Sequence, residues 1–128
     1  MKRALLLTLL IGSAVTLFSG CAVLLVGAAA GAGGMAYTQG ELKNTESVNL
    51  STAHRAAERA VKDLKFAVFK SQLDGLSGLI EARTVADQKV TIKTKQVAAK
   101  ATEVRIRVGL LGDETASRQI LSRMQANY

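Results

Sequence analysis

From Lys89 to Lys95 the chain alternates, with Val90 and Ile92 on one side and Lys89, Thr91, Lys93 and Lys95 on the other. Thr102 to Gly109 repeats the pattern, setting Val104, Ile106 and Val108 against Glu103, Arg105 and Arg107. A period of two belongs to a strand with one buried and one wet face. Leu76 to Thr84 fits the same period, with Gly78, Ile80 and Ala82 on one face, and Asp74-Gly75 ahead of it supplies a turn. Phe66 to Gln72 is a less regular strand. From Ser51 to Lys65 the period changes: Ala53, Ala57, Ala60, Val61 and Leu64 recur at helical spacing, with Ser51 as N-cap. The small side chains of that stripe allow the helix to lie close to a sheet. "GLLGDE" ends the last strand and starts a second helix. Gly109 and Gly112 permit the sharp turn, Asp113 caps, and Ala116, Ile120, Leu121 and Met124 form the apolar face. The stretch "YTQGELKNTESVNL" reads either as an edge strand around Gly40 to Lys43 or as irregular chain. Together these elements predict an α+β, two-layer domain: an antiparallel sheet of three to five strands with two helices on one face.

The N-terminal third follows a different rule. Lys2 and Arg3 precede an uncharged run, Ala4 to Phe18, rich in Leu, Val and Ala, and the small residues Ser19 and Gly20 stand just before Cys21. This is the three-part layout of a secretory signal. Its ending, Ser19-Gly20-Cys21, resembles the lipobox of bacterial lipoproteins, with Phe18 where that motif usually has Leu, Val or Ile. The resemblance implies cleavage before Cys21 and acylation of its thiol. An intrachain disulfide is excluded, because Cys21 is the only cysteine. The rival reading is an uncleaved anchor, since nothing charged occurs from Ala4 to Gly40 and a membrane-spanning helix needs only ~20 apolar residues. Ala22 follows the cysteine where Asp would favour inner-membrane retention, so the resemblance implies the outer membrane, facing the periplasm, if the host is Gram-negative.

Ala22 to Gly34 is almost entirely Ala, Gly, Val and Leu. It reads as a tether from lipid to folded domain. Gly27 and Gly31, four apart, leave open a small-residue zipper within the membrane. The organisation is therefore a signal over 1–20, a lipidated cysteine and tether over 21–36, and a folded domain over 37–128. The order "GELK", an Ala-rich helix, "LSGLIEAR", "KVTIK", "TEVRIRVGLLGDE" and "SRQIL" resembles a family of small bacterial lipoproteins called domain of unknown function 3568. The strongest stretch is Leu76 to Leu121, and the likeness covers nearly the whole chain. That family has no assigned activity, so the resemblance supports the architecture and carries over no functional residue.

Composition adds one lead. The formal charge is +7, and the chain stays basic without Lys2 and Arg3. Arg83, Lys89, Lys93, Lys95, Arg105 and Arg107 fall on the wet side of the strands, against Glu81 and Glu103, a pattern that suits an anionic partner at a membrane. Equally, strands carry Lys and Arg on wet faces for solubility and against edge pairing. Nucleic acid is not expected, because that face has no aromatic residue for stacking. His54 falls on the polar side of the first helix, with Glu58 one turn on. As the only histidine it makes no zinc site. "GLLGD" lacks the Lys-Ser/Thr of a phosphate loop, and no Gly-x-Ser-x-Gly elbow is present. No cofactor, metal or catalytic residue is expected. The reading is an envelope lipoprotein with a structural or interaction role, partnered by the membrane through its lipid and by an envelope protein or anionic lipid. The alternative is a binding module whose basic sheet face holds lipopolysaccharide or acidic lipid.

Overall fold

The computed structural model describes residues 35–128. The expected signal segment, Ser19, Gly20, Cys21 and the Gly/Ala-rich run through Gly34 lie outside them. Eight elements follow in order: β1 (Ala36–Thr38), β2 (Glu41–Glu46), α1 (Leu50–Asp63), β3 (Ala67–Leu73), β4 (Ser77–Arg83), β5 (Lys89–Ala98), β6 (Ala101–Val108) and α2 (Glu114–Gln125). The fold is α+β in two layers, as the alternation predicts. The sheet has six strands rather than three to five, in the order β1-β2-β6-β5-β4-β3, and every pairing is antiparallel.

The additional strand is β1. Gln39 and Gly40 both adopt positive φ, at 53° and 79°. Two such residues make the tight turn whose twist suits a hairpin, so the ambiguous "YTQGELKNTE" folds back on itself. α1 then carries the chain across one face from β2 to the far edge, and the meander β3 to β6 returns to pair with β2. At that far edge β3 has a register shift between Val68 and Lys70, an irregularity of the kind that discourages pairing with another chain.

One face of the sheet builds the core. Leu42, Ile80, Ala82, Val90, Ile92, Val104, Ile106 and Val108 are buried beneath Ala56, Ala57, Ala60 and Val61 of α1 and Ile120, Leu121 and Met124 of α2. Both helices lie on this face and touch each other. Asp113 caps α2 as expected, its Oδ1 accepting the Ala116 N–H at 2.9 Å, and Gly109 and Gly112 have φ of 73° and 85°. The cap of α1 is corrected: Asn49, not Ser51, accepts the Thr52 N–H at 2.9 Å, and the Ser51 hydroxyl donates to Asn49 Oδ1. The helix starts two residues earlier, and Leu50, at 5 % exposure, belongs to the core face.

A second correction concerns His54, expected on the exposed side of the helix. It is only 4 % exposed. Gly78 of β4 is the reason: a Cβ there would stand 2.6 Å from His54 Nδ1, so the missing side chain makes the room that the imidazole fills.

Candidate functional site

Among the described residues no helix covers the sheet's other face. Strand register fixes what stands there. Because Ala82, Val90, Ile92, Val104, Ile106 and Leu42 point to the helices, their neighbours point away. Arg83, Lys89, Lys93, Lys95, Arg105 and Arg107 all fall on this open face, joined by Lys43, Glu41, Glu81 and Glu103. Lys93 pairs across strands with Arg105, and Arg105 pairs in turn with Lys43, so three cations stand side by side on three neighbouring strands.

The carboxylates answer only part of this charge. Glu103 contacts Lys43 at 3.3 Å and Arg105 at 2.6 Å, and Glu41 reaches Arg105 at 3.8 Å. Glu81 holds Lys89 at 3.2 Å, and Asp87 holds Arg83 at 3.1 Å. Among the described residues, Lys93, Lys95 and Arg107 have no ion pair within 4.0 Å. Burial pushes the Glu103 carboxyl up, but hydrogen bonds and charge from Arg105 and Lys43 outweigh it and hold the group below the usual carboxylate range. The Glu103 hydrogen bond and charge hold Arg105 above its own ordinary value.

Three shallow grooves indent the face. The first, about 370 Å³, is lined by Ser77, Leu79, Lys93, Lys95, Glu103 and Arg105 among others. The second, about 600 Å³, lies toward the β4–β5 turn and includes Arg83, Lys89, Thr91 and Arg107. The third, about 270 Å³, lies between Glu41, Lys43, Arg105 and Arg107. Every one of the six basic residues read from the sequence lines a groove. The residue that reading missed is Lys43. Its strand carries Asn44 and Glu46 on the buried side, at 5 % and 8 % exposure, so the polar–apolar alternation that would have revealed it is absent. Asn44 Nδ2 donates to Glu46 Oε1, and Gln125 Nε2 donates to the same oxygen at 3.0 Å, which satisfies these buried groups.

A second polar cluster joins α1 to β3. His54 Nε2 lies 3.1 Å from Ser71 Oγ, and the Ser71 hydroxyl donates to Glu58 Oε1 at 2.6 Å. The expected neighbourhood of His54 and Glu58 holds, at 3.7 Å. Ser, His and Glu are present, yet the wiring runs opposite to that of an activated serine: the hydroxyl proton is directed at Glu58, so Nε2 donates to Oγ and accepts nothing from it. Ser71 lines none of the three grooves. Among the described residues no group of three or more His, Cys, Asp or Glu side chains is placed to hold a metal ion, and no helix is long and apolar enough to cross a membrane.

The sequence model of a family described as "Protein of unknown function" (DUF3568) matches residues 4–127. No curated protein matches the chain.

Proposed function

Because the chain belongs to the DUF3568 family, whose description names no activity, its role has to come from its own residues, and we propose that it is an envelope lipoprotein, anchored by lipid on Cys21, whose domain presents the open sheet face to an anionic envelope component. The observation that carries this reading is the Lys43–Arg105–Lys93 row. Like charges directly opposite one another across strands destabilise a sheet. Two carboxylates relieve Arg105 and Lys43, while Lys93 and Lys95 stay unpaired at the rim of the same groove. A sheet that keeps this repulsion on a face no described element covers is poised to receive negative charge. Ser19-Gly20-Cys21 at the end of a signal-like run supplies the membrane side of the reading.

The partner chemistry is a phosphate-bearing surface: lipopolysaccharide or acidic phospholipid. The test uses the unit Gly33–Tyr128, with lipopolysaccharide in one arm and vesicles containing acidic phospholipid in the other. Binding should weaken as salt rises, because exposed charges more than ~10 Å apart are largely screened at 0.1 M. Lys93→Gln with Lys95→Gln should weaken it further without touching any ion pair. If neither arm shows salt-sensitive binding, the face is an ordinary solvated surface. The broader reading, a structural or interaction lipoprotein with a protein partner, then takes its place. The anchor is tested separately by intact mass: the membrane-extracted chain should begin at Cys21 and carry acyl groups, and Cys21→Ser should leave the precursor uncleaved.

A further inference from the structure

One end of the sheet collects apolar side chains that the core leaves out. There the β4–β5 turn, the β1–β2 turn and the loop from β6 into α2 come together. The Gly109 N–H donates to the Lys89 carbonyl at 2.8 Å, and a Cβ on Gly112 would stand 2.3 Å from Gly40 Cα. From this end project Leu110, Leu111 and Val85, at 92 %, 90 % and 86 % exposure. The described residues contain no other large hydrophobic so exposed; Leu76, at the opposite end, comes next at 71 %.

The two leucines are held out rather than left loose. Gly109 and Gly112 bracket them, both at positive φ. The Arg107 guanidinium donates to the Leu110 carbonyl at 2.9 Å, the Leu111 carbonyl packs on Gly40, and Asp113 immediately afterwards caps α2. Just behind them stand Arg83, Lys89 and Arg107. Asp87 and Glu81 pair with the first two, and the Asp113 carboxylate is occupied by its helix. Among the described residues Arg107 has no ion pair within 4.0 Å; its cross-strand neighbour Glu41 reaches Arg105 instead, at 3.8 Å.

We infer that Leu110, Leu111 and Val85 form a tip that seats in a phospholipid bilayer, with Arg107 behind it at the level of the lipid phosphates. Protruding apolar points backed by a cation suit a fluid interface, which accepts them without a matching surface, and long cationic side chains keep their charge among the headgroups. The groove beside the tip is lined by Arg83, Asp87, Gln88, Lys89, Thr91 and Arg107, with Leu110 in its wall, so charged and polar side chains stand directly behind the apolar points. The inference rests on the membrane-anchored reading and adds which end of the domain faces the lipid. The anchor permits it: the fourteen residue-to-residue steps from Cys21 to Met35 would reach up to about 45 Å if extended, more than the roughly 33 Å of the longest strand.

The sequence contains no tryptophan, so Leu111→Trp creates a single fluorescent reporter at a residue that is 90 % exposed. The full chain, purified from membranes and reconstituted into phosphatidylcholine–phosphatidylglycerol vesicles, should show blue-shifted emission quenched about twofold or more by acyl-brominated lipid. Leu76→Trp, at the far end, should keep the emission of a water-exposed indole. A water-like, unquenched signal from Leu111→Trp in vesicle-bound chain overturns the inference, and so does equal quenching at both positions. Intact mass of the same preparations reports acylation of Cys21, so failure of the anchor and failure of the tip are read independently.

Discussion

Gly78→Ala is the most informative single perturbation of this domain. Gly78 sits in β4, where its φ is ordinary, so the substitution meets no backbone penalty of the left-handed kind. By chain entropy alone, replacing Gly with Ala at a compatible site stabilises by ~0.4–1 kcal/mol. Space decides otherwise. The new Cβ would stand 2.5 Å from Thr94 Oγ1 and 2.6 Å from His54 Nδ1. Thr94 is 2 % exposed on the adjoining strand, and His54 is packed between α1 and the sheet, so neither moves without disturbing its neighbours. Neither atom has a hydrogen-bond partner of its own, but the His54 ring is held through Nε2, 3.1 Å from Ser71 Oγ. Overpacking of this kind costs ~1–3 kcal/mol. Set against the entropy gain, a net loss of about 1–2 kcal/mol is expected, or a fall in Tm of roughly 4–16 °C for a domain this size. Urea unfolding followed by circular dichroism measures it, with an unchanged m-value as the sign that only stability has moved. Two companions sharpen the result. Gly75→Ala, with nothing within 4 Å of its Cβ, should be neutral or slightly stabilising. In a Thr94→Ala background the Gly78→Ala penalty should shrink, because one of the two colliding atoms is gone. If Gly78→Ala is as harmless as Gly75→Ala, His54 does not occupy the place assigned to it.

Further outcomes follow from the same geometry. Ile106→Ala, at a fully buried site between Leu42 and Ile92, should cost ~2–5 kcal/mol in denaturant unfolding, whereas Lys93→Ala on the open face should cost little. Asn49→Ala should destabilise by ~0.5–2 kcal/mol through the lost cap, while Ser51→Ala should have a much smaller effect. Glu103 is held below its ordinary range in the folded state, so its contribution is complete above the unfolded carboxyl value of ~4.3 and is lost as pH falls through the folded one. A Glu103→Gln variant should therefore show a shallower loss of stability below about pH 4 than the parent when Tm is followed against pH.

Periodicity revealed the strands whose two faces differ most. β5 and β6 place Val, Ile and Thr inward and Lys, Arg and Glu outward, so their faces, and the core residues Val90, Ile92, Val104 and Ile106, are readable directly. β2 buries Asn44 and Glu46 alongside Leu42, and its inward face looks polar until Gln125 of α2 is seen to satisfy Glu46. Its partner β1 is three residues long, too short for any period, and only the two positive-φ residues between them reveal the hairpin. His54 failed for a related reason. Its burial depends on a glycine that is 24 residues away in sequence and lies on another element, and no local pattern reports a gap of that origin.

The open face was legible as a set of charges but not as an electrostatic surface, and the difference lies in register. Alternation says that Lys89, Lys93, Lys95, Arg105 and Arg107 point the same way. It does not say which of them an acid reaches. Glu103 neutralises Lys43 from the neighbouring strand, and Glu81 reaches Lys89 because β4 pairs with β5 in one alignment and no other. A slip of two residues would keep every side chain on its face and still redraw the pairs. The unpaired set that results, Lys93, Lys95 and Arg107, is therefore a property of the assembled sheet. Two of its members flank one groove and the third stands behind the Leu110–Leu111 loop, so the free charge is divided between the face and its apolar end. A headgroup layer that the apolar end enters at a tilt meets Arg107 and the near part of the face together, whereas a small soluble anion reaches only one of the two.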